Sequence, residues 1–375
     1  MSDVRGPDPA RAALDARVLA WLHEPGALDA PRDDARFSAL ALELFAFQFA
    51  RCEPYRRFCE GRGRTPRSVA SWREIPPVPT GAFKELELRS FPAERRLHAF
   101  RTSGTSTERR GTLWLDTLAL YEASLLPSFQ AHVLPDLAER PVLLRVLAPS
   151  AREAPDSSLS HMFETVLRRL ALPGGGFDIR DGRLDVDGLL SGLERARDAG
   201  TAVALCGTSF AFVHLMDELA ARGRRLALPE GSRVMETGGF KGRSRELGRG
   251  ELHAALEAVL GVAPERIVNQ YGMTELASQF YDSVLRRPGE PRRKLAPPWT
   301  RVRVVDPASG EDVPPGEPGA LVIVDLANTG SVQALQTADL GHELDDGFEV
   351  LGREPGAEAR GCSVAADAML GATGA

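Results

Sequence analysis

The middle of the chain alternates short apolar runs with segments whose apolar residues recur at helical spacing. The apolar runs predict strands at 142–147, 202–206, 233–236 and 266–269. The segments around them predict helices at 157–172, 186–199, 210–222 and 243–260. Strands separated by helices are typical of βαβ crossovers, in which the strands lie parallel and the helices cover the sheet. The sequence therefore predicts an α/β fold with a largely parallel sheet flanked by helices.

Parallel sheets of this kind bind ligands at one edge, beyond the carboxyl ends of their strands. A further apolar run at 97–100 predicts one more strand, at the start of the same core. We therefore expect the loops that follow Phe100, Leu205, Glu236 and Asn269 to share one crevice.

The sequence has a different character on either side of this core. Helical spacing recurs at 9–21 and 35–59, and on the second of these Cys52 and Cys59 would lie on one buried face. After residue 288 the run PGEPRRKLAPP opens a region of short β-type segments and acidic turns. We predict a helical N-terminal region at 1–95, an α/β core at 96–290, a small antiparallel β subdomain at 291–352 and a short tail at 353–375.

The composition argues against several classes of protein. A hydrophobic fraction of 43% and a charged fraction of 26% are ordinary for a globular chain, and the net charge of −6 argues against nucleic-acid binding. No run approaches the roughly 18 to 20 apolar residues that span a bilayer, and the N-terminus lacks an apolar signal segment. We therefore expect no membrane span and a cytoplasmic protein. The four cysteines are scattered without CxxC pairs, which predicts neither disulfides nor a zinc site.

The segment Thr102 to Gly111, TSGTSTERRG, combines hydroxyl side chains with a glycine and two arginines. Its hydroxyls and glycine are Thr102, Ser103, Gly104, Thr105, Ser106 and Thr107. A glycine lets backbone N–H groups approach an anion, and the guanidinium groups of Arg109 and Arg110 would neutralise it. The residues alone allow two interpretations, a loop that wraps phosphates and a solvated turn.

A second polar segment, NQYGMTELAS, runs from Asn269 to Ser278 after an apolar run. Tyr271 offers a flat face for a base, and Gly272 permits a sharp turn. Thr274 supplies a hydroxyl for a phosphate, and Glu275 supplies a hard oxygen for Mg²⁺. A Tyr-Gly turn before a helix is also common as structure without a site.

Four segments in this order resemble the nucleotide-binding motifs of adenylate-forming acyl and aryl ligases: TSGTSTERRG, METGGFKGR, NQYGMTELAS and TADLGHELDDGFEVLGR. The forms TGGFKGR and RGCS, with the chain length, look most like the LuxE-type acyl-protein synthetases. The resemblance implies the N-terminal domain of such a ligase, with a nucleotide- and acyl-binding core. It also implies ATP and Mg²⁺ as cofactors, a fatty or aryl carboxylic acid as substrate, and an acyl reductase or carrier protein as partner.

The resemblance also assigns roles to residues. Thr102, Ser103, Gly104, Thr105, Ser106 and Thr107 would line the phosphates, and Gly238, Gly239, Phe240, Tyr271 and Gly272 would form the adenine site. Thr274 would contact the α-phosphate, Glu275 would hold Mg²⁺, Asp339 would bind the ribose and Arg353 would lie at a hinge near the ribose or phosphate. Phe163, Phe210, Phe212 and Met216 either line an acyl channel or belong to the core.

Two departures from the ligase pattern concern charge and the tail. Residues 354–375 follow Arg353 and contain no lysine, so we expect the mobile C-terminal ligase domain with its lysine to be missing. Lys241 is the leading replacement, and Arg109 or Arg110 are the alternatives. The tail carries Cys362, which the resemblance implies as the acyl acceptor, whereas the residues alone favour a buried small side chain.

Two rival functions stay open at this stage. The acyl group would pass to coenzyme A or a carrier-protein pantetheine in the first. In the second, the chain is a non-catalytic nucleotide-binding subunit, and the missing lysine domain marks lost activity.

Overall fold

The computed structural model describes residues 8–103, 109–170, 172–238 and 247–353. Its helices are Pro9–Leu22 (α1), Asp34–Arg51 (α2), Glu53–Glu60 (α3), Ala82–Glu85 (α4), Ala119–Val133 (α5), Ser158–Arg169 (α6), Val186–Asp198 (α7), Ser209–Ala221 (α8) and Arg249–Leu260 (α9). None of the helices in these residues is long and apolar enough to cross a bilayer.

The strands are mostly short. They are Val78–Pro79 (β1), His98–Arg101 (β2), Thr112–Leu115 (β3), Val142–Leu147 (β4), Gly176–Phe177 (β5), Ile179–Arg180 (β6), Arg183–Leu184 (β7), Ala202–Thr208 (β8), Arg233–Thr237 (β9), Ile267–Tyr271 (β10), Phe280–Asp282 (β11), Lys294–Leu295 (β12), Thr300–Val305 (β13), Gly319–Asp325 (β14), Ala334–Leu344 (β15) and Gly347–Arg353 (β16).

Contacts divide the chain into two compact units whose segments interleave along the sequence. The first unit takes Met1–Leu125, Gly272–Ser278 and Leu295–Ala375, and the second takes Leu126–Tyr271 and Gln279–Lys294. The four contiguous segments expected from the sequence stay a prediction, because the units are defined by contacts rather than by position along the chain.

The sheet of the second unit is largely parallel, as the alternation of strands and helices predicts. Its order is β5-β4-β8-β9-β10-β11, and the pair β10–β11 is antiparallel. Thr208 pairs with Thr237, and Thr237 pairs with Gln270, so β8, β9 and β10 end at one edge. The loops after these three strands therefore leave the sheet together, as expected.

Helices α7, α8 and α9 pack on this sheet through apolar residues at helical spacing. Their buried side chains form one cluster with those of β8, β9 and β10. Phe212 and Met216 belong to that cluster, and Phe163 is also fully buried, whereas Phe210 is 36% exposed. Capping begins α7 and α8 where the sequence predicts, because Asp185 and Thr208 accept hydrogen bonds from the backbone N–H groups of Gly188 and Ala211.

His132 on α5 is buried in the second unit. Its Nδ1 lies 2.8 Å from the carbonyl oxygen of Ser128, and its ring stacks on Tyr281 with 5.5 Å between the ring centroids. Burial lowers the pKa of His132 to about 4 from the usual 6.5. The folded protein therefore holds this imidazole neutral in a pH range where an unfolded chain takes up a proton.

This shift predicts an acid-dependent loss of stability. As the pH falls from about 6.5 to about 4, His132 should lower the free energy of unfolding by roughly 3 kcal/mol, because only the unfolded state gains the proton. His132→Gln should remove that part of the pH dependence in urea unfolding experiments. The exposed His23 provides the control His23→Gln. Parallel curves of unfolding free energy against pH for the wild type and His132→Gln would contradict this prediction.

The first unit carries the antiparallel strands expected near the C-terminus. Strands β13, β14, β15 and β16 follow one another in the sheet as antiparallel neighbours, and β1 runs parallel to β15. Strand β15 has eleven residues, so the short strands expected after residue 331 are in fact one long strand and its partner. The antiparallel prediction for this region is confirmed.

The prediction that the run at 97–100 belongs with the parallel strands is wrong. Strand β2 pairs instead with β3 in a separate antiparallel hairpin of the first unit, with His98 opposite Leu115 and Arg101 opposite Thr112. Strand β3 was not predicted, because four residues are too few to show a strand period. The segment 102–111 is thus the loop of a hairpin and does not lead from a strand into a helix.

The single helix predicted at 35–59 is also wrong. The chain forms α2 and α3, and Cys52 between them is extended, with φ −103° and ψ 96°. Pro54 lies in the first turn of α3, where its missing N–H group is tolerated, and it cannot continue the hydrogen bonding of α2. Cys52 and Cys59 are nevertheless both buried, as predicted.

Candidate active site

The two ends of the 102–111 loop are fixed to each other in the first unit. The N–H group of Thr102 donates to the carbonyl oxygen of Gly111, and the N–H group of Gly111 donates to Thr102 Oγ1, both at 2.9 Å. Arg110 turns back on this neck and donates from Nε to the carbonyl oxygen of Thr102 at 2.5 Å. Thr102 and Ser103 therefore lie at the base of a closed loop. Gly104, Thr105, Ser106 and Thr107 lie outside the described residues.

The two arginines of the loop have separate partners. Arg110 also donates to the carbonyl oxygen of Arg101 at 3.3 Å. Arg109 donates to Glu85 Oε2 at 2.6 Å, in an ion pair whose arginine side chain is 66% exposed. Arg110 thus shapes the neck of the loop, and Arg109 holds a surface ion pair that salt would screen.

Glu275 lies against the neck of this loop. A Cβ atom built on Gly111 would stand 3.4 Å from Glu275 Oε1 and 3.2 Å from Thr102 Cγ2. Gly111 therefore lies beside both the Glu275 carboxylate and the Thr102 methyl group, and a larger residue at this position would be in tight contact with Thr102. Two polar segments that are far apart in the sequence meet at this point, and both belong to the first unit.

A turn, and no helix, carries Thr274 and Glu275. The chain leaves β10 at Tyr271, passes Gly272, turns at residues 274–275 and enters β11, so the expected helix is absent from this described stretch. Glu275 is 5% exposed, and its carbonyl oxygen accepts from Asn328 Nδ2 at 2.9 Å. Asn328 therefore anchors the backbone of the turn that carries the Glu275 carboxylate.

Asp325, the last residue of β14, holds two residues just after the same turn, Ala277 and Ser278. Its Oδ2 accepts from the N–H groups of Ala277 and Ser278 at 3.0 and 2.8 Å, and its Oδ1 accepts from Ser278 Oγ at 2.8 Å. The N–H group of Ala327 donates to Oδ1 at 3.0 Å. Burial raises the pKa of Asp325 to about 6, and these hydrogen bonds oppose the rise.

Asp339 and Arg353, the expected ribose and hinge residues, meet on neighbouring strands. They are paired across β15 and β16, and Arg353 Nε donates to Asp339 Oδ1 at 3.1 Å. The side chain of Arg353 is 61% exposed and that of Asp339 is 13% exposed. The two residues therefore form one charged pair in the first unit.

Gly238 and Tyr271 follow paired residues at the edge of the parallel sheet of the second unit. Gly238 comes directly after β9 and has a φ of +76°, which favours glycine. Tyr271 ends β10, and its ring is tilted against that of Phe280 with 6.2 Å between the centroids. Thr237 and Gln270, the residues just before them, are paired in the sheet and linked by the Thr237 hydroxyl, which donates to the carbonyl oxygen of Gln270 at 3.0 Å. Gly239, Phe240 and Lys241 lie outside the described residues, as does Cys362.

The donor set around Glu275 bears on the expected Mg²⁺. Among the residues that the structure describes, no three His, Cys, Asp or Glu side chains form a group able to hold a metal ion. Mg²⁺ is commonly bound through one or two carboxylates together with the phosphates of a substrate. Glu275 therefore fits a Mg²⁺ that arrives with a nucleotide better than a metal held by the protein alone.

A family model described as "Acyl-protein synthetase, LuxE" matches residues 12–370. The chain belongs to this family. Two relatives carry the name long-chain-fatty-acid–luciferin-component ligase. The one from Vibrio harveyi is 23% identical over 306 residues, which cover 81% of this chain and 78% of the relative. The one from Aliivibrio fischeri is 24% identical over 306 residues, which cover 80% and 78%.

Solved structures place the fold of this LuxE-family chain among the adenylate-forming ligases. An open conformation of 2-hydroxyisobutyryl-CoA ligase, in complex with 2-HIB-AMP and CoA, matches with a TM-score of 0.63 and 17% identity, covering 88% of this chain and 77% of that one. The same ligase in a postadenylation state matches with a TM-score of 0.64 and 17% identity, covering 88% and 70%. At this identity the likeness shows the fold alone.

Sequence reasoning did not find the side chains that support the site in this acyl-protein synthetase. Asp325 and Asn328 lie about fifty residues from the turn that they hold, with Asp325 47 residues from Ser278 and Asn328 53 residues from Glu275. The only signal in the sequence is a carboxylate that ends a fully apolar strand, GALVIVD, where an uncompensated charge is costly. Such a residue predicts a buried partner without saying which one.

Proposed function

We propose that this acyl-protein synthetase activates a carboxylic acid with ATP and passes the acyl group to a thiol. An oxygen of the carboxylate attacks the α-phosphorus, the bond to the bridging oxygen of pyrophosphate breaks, and acyl-AMP and pyrophosphate result. A thiolate then attacks the acyl carbon, and AMP leaves with the electrons of the broken carbon–oxygen bond. Both reacting groups of the first step are anions, so this step needs oriented donors and positive charge.

The observation that carries this proposal is the meeting of Thr102, Gly111 and Glu275. It puts the Thr102 side chain, at the base of the first loop, beside a carboxylate that is suited to Mg²⁺. In the proposal the first loop binds the phosphates and Thr274 contacts the α-phosphate. Bound Mg²⁺ would supply positive charge to the phosphate oxygens. Gly238 and Tyr271 border the adenine, and Asp339 binds the ribose.

We further propose a fatty acid as the substrate and Cys362 as the acceptor. The two relatives are named for a long-chain fatty acid. Burial raises the pKa of Cys52 to about 11 and of Cys59 to about 12, and it also raises the pKa of the fully buried Cys206. These three thiols stay protonated at neutral pH, and protonated thiols are poor nucleophiles. Cys362 is the remaining cysteine of the chain, and an acyl reductase is the proposed recipient.

Exchange of labelled pyrophosphate into ATP tests the activation step. A panel of fatty acids of increasing length, aryl acids and amino acids should show exchange that requires both Mg²⁺ and one acid class, with fatty acids most active. Exchange with the aryl acids alone would move the substrate to that class. The absence of exchange with every acid would contradict the proposal and favour a non-catalytic nucleotide-binding subunit.

Lys241 is the proposed source of positive charge for the adenylation step. Lys241→Met should lower the acid-dependent exchange rate by roughly 10-fold to 1,000-fold, because one charge that stabilises the transition state is lost. The control is Arg67→Met, which removes one exposed positive charge and should change the rate little. An undiminished exchange rate in Lys241→Met would leave Arg109 and Arg110 as the remaining candidates.

Replacement of Asp325 should weaken both the fold and the reaction. In Asp325→Asn, either orientation of the amide turns an NH₂ group toward a backbone N–H donor, so the free energy of unfolding should fall by about 1–3 kcal/mol. The kcat for exchange should fall as well, because the turn that bears Glu275 loses its anchor. The exposed Asp306 accepts from the N–H groups of Ala308 and Ser309, and Asp306→Asn is the control. A normal kcat in a folded Asp325→Asn protein would contradict the anchoring role.

A further inference from the structure

Lys294, one of the three lysines in the chain, is buried at the start of β12. Its Nζ donates to the carbonyl oxygen of Asn269 at 2.6 Å, to Asp282 Oδ1 at 2.8 Å and to Asn269 Oδ1. An ammonium group has three donors, and here each has an acceptor. Burying an ammonium is costly unless it is paired and fully hydrogen-bonded. The surroundings of Lys294 therefore provide every acceptor that a buried lysine ammonium needs.

Asp282 binds the backbone N–H group of the same residue of β10, Asn269. Its Oδ2 accepts from the N–H group of Asn269 at 3.1 Å and from the guanidinium group of Arg292. Burial would raise the pKa of Asp282, but the charges of Lys294 and Arg292 and their hydrogen bonds outweigh it and hold the pKa below its usual value. The ion pair of Lys294 and Asp282 thus hydrogen-bonds to both the C=O and the N–H group of Asn269.

The hydrogen bond from Lys294 to Asn269 Oδ1 also sets the orientation of the Asn269 side chain. Because Oδ1 faces the ammonium, Nδ2 points away from it and donates to Glu236 Oε1 at 2.7 Å. The other carboxylate oxygen, Glu236 Oε2, lies 2.7 Å from Ser209 Oγ. Glu236 is 2% exposed and is held from both sides.

The chain of contacts ends at the turn after β9. Ser209 Oγ lies 3.0 Å from the carbonyl oxygen of Gly238 and 3.5 Å from that of Thr237, as well as beside Glu236, so its single proton can be donated to the carboxylate or to the turn. Lys294 is thus connected, through Asn269, Glu236 and Ser209, to the backbone at Gly238. The same ammonium holds the strand that ends at Tyr271.

We propose that Lys294 is a positioning residue for the base-binding part of the site. It sets the separation between the turn at Gly238 and the ring of Tyr271 by fixing Asn269, and it contacts neither the phosphates nor the acid. This inference rests on the proposed function, in which those two residues border the adenine. Its loss should therefore act on ATP binding and on the choice of base.

An ion pair with a buried arginine at the other end of β9 provides the control. Arg233, the first residue of that strand, is fully buried and pairs with the partly exposed Asp136, whereas Gly238 follows the last residue of the strand. Arg233→Met removes a buried cation from the start of β9. Lys294→Met removes a buried cation that lies close to the other end of β9. Both variants should lower the melting temperature, so stability alone does not separate them.

The test is steady-state exchange kinetics of Lys294→Met and Arg233→Met, with calorimetric binding of the non-hydrolysable α,β-methylene analogue of ATP. For Lys294→Met we expect the KM for ATP and the Kd of the analogue to rise by about 10-fold, the scale of one lost contact, with a smaller preference for ATP over GTP. The KM for the acid should stay within about 2-fold of the wild type, as should all constants of Arg233→Met.

Three results would overturn the inference. The first is an unchanged KM for ATP in Lys294→Met. The second is an equal rise of the KM for ATP and the KM for the acid in that variant, and the third is an equal rise of the KM for ATP in Lys294→Met and Arg233→Met. If Lys294→Met does not fold, Asn269→Ser makes the same test, because Lys294 keeps Asp282 and the backbone carbonyl of residue 269. A wild-type protein that neither exchanges pyrophosphate nor binds the analogue would instead contradict the proposed function itself.

Discussion

Cys362→Ser is expected to abolish the acyl thioester while leaving acid-dependent pyrophosphate exchange near the wild-type rate. The two steps use different groups, because adenylation needs only the acid, ATP and Mg²⁺, whereas transfer needs a thiolate. Incubation with radiolabelled fatty acid, ATP and Mg²⁺, followed by hydroxylamine treatment of the denatured protein, measures the thioester. Essentially all of the labile label should disappear in the variant.

The other cysteines provide the control for this experiment. Cys206→Ala removes a thiol that is fully buried in the parallel sheet, so its labelling should match that of the wild type. Undiminished, hydroxylamine-sensitive label in Cys362→Ser would contradict the proposed acceptor. Rapid formation of acyl-coenzyme A by the same variant, when coenzyme A is supplied, would assign the acyl group to that thiol instead.

Glu275→Gln is expected to lower acid-dependent exchange by roughly 100-fold to 1,000-fold, the effect of removing one group that stabilises transition-state charge. Glutamine has the same shape, so the side chain stays beside Gly111 and only the negative charge is removed. The Mg²⁺ concentration that gives half the maximal rate should rise, because a neutral amide is a weaker ligand than a carboxylate.

The control for Glu275→Gln is Glu53→Gln, which breaks an exposed ion pair with Arg57 on α3. Its exchange rate and Mg²⁺ dependence should match those of the wild type, because exposed pairs contribute little. Unfolding experiments should give both variants near-native stability. A Glu275→Gln protein with the wild-type rate and the wild-type Mg²⁺ requirement would show that this carboxylate does not serve the metal.

The parallel sheet is the part of the fold that the sequence predicts best. Strand β4 begins and ends where its apolar run predicts, and α7 and α8 begin within a residue of their predicted starts. In these segments a buried face, a strand or helix period and a capping residue all indicate the same structure. The hairpin of β2 and β3 and the break at Cys52 lack that agreement, since a four-residue strand has no visible period and the apolar spacing continues from α2 into α3.

The candidate site likewise has one part that the sequence suggests and one part that it does not. Local chemistry suggests the 102–111 loop, Tyr271 and Glu275 as candidates, because hydroxyl, aromatic and carboxylate side chains follow apolar runs there. Gly238 is suggested only by the resemblance to adenylate-forming ligases, and all of these roles stay predictions. The supporting contacts of Asp325 with Ser278 and of Lys294 with Asn269 depend on which strands are neighbours, and no pattern along the chain encodes that pairing. They become visible only when the strands are assembled.

Transfer of an oxygen atom from the acid to AMP tests the central claim most directly. When the carboxylate of the fatty acid carries heavy oxygen on both atoms, attack on the α-phosphorus and later thiolysis must leave one labelled oxygen in the phosphate of AMP. Mass spectrometry of the nucleotide product should therefore find singly labelled AMP, in amounts equal to the thioester formed. Unlabelled AMP, or ADP and phosphate as the products, would contradict activation through an acyl-adenylate.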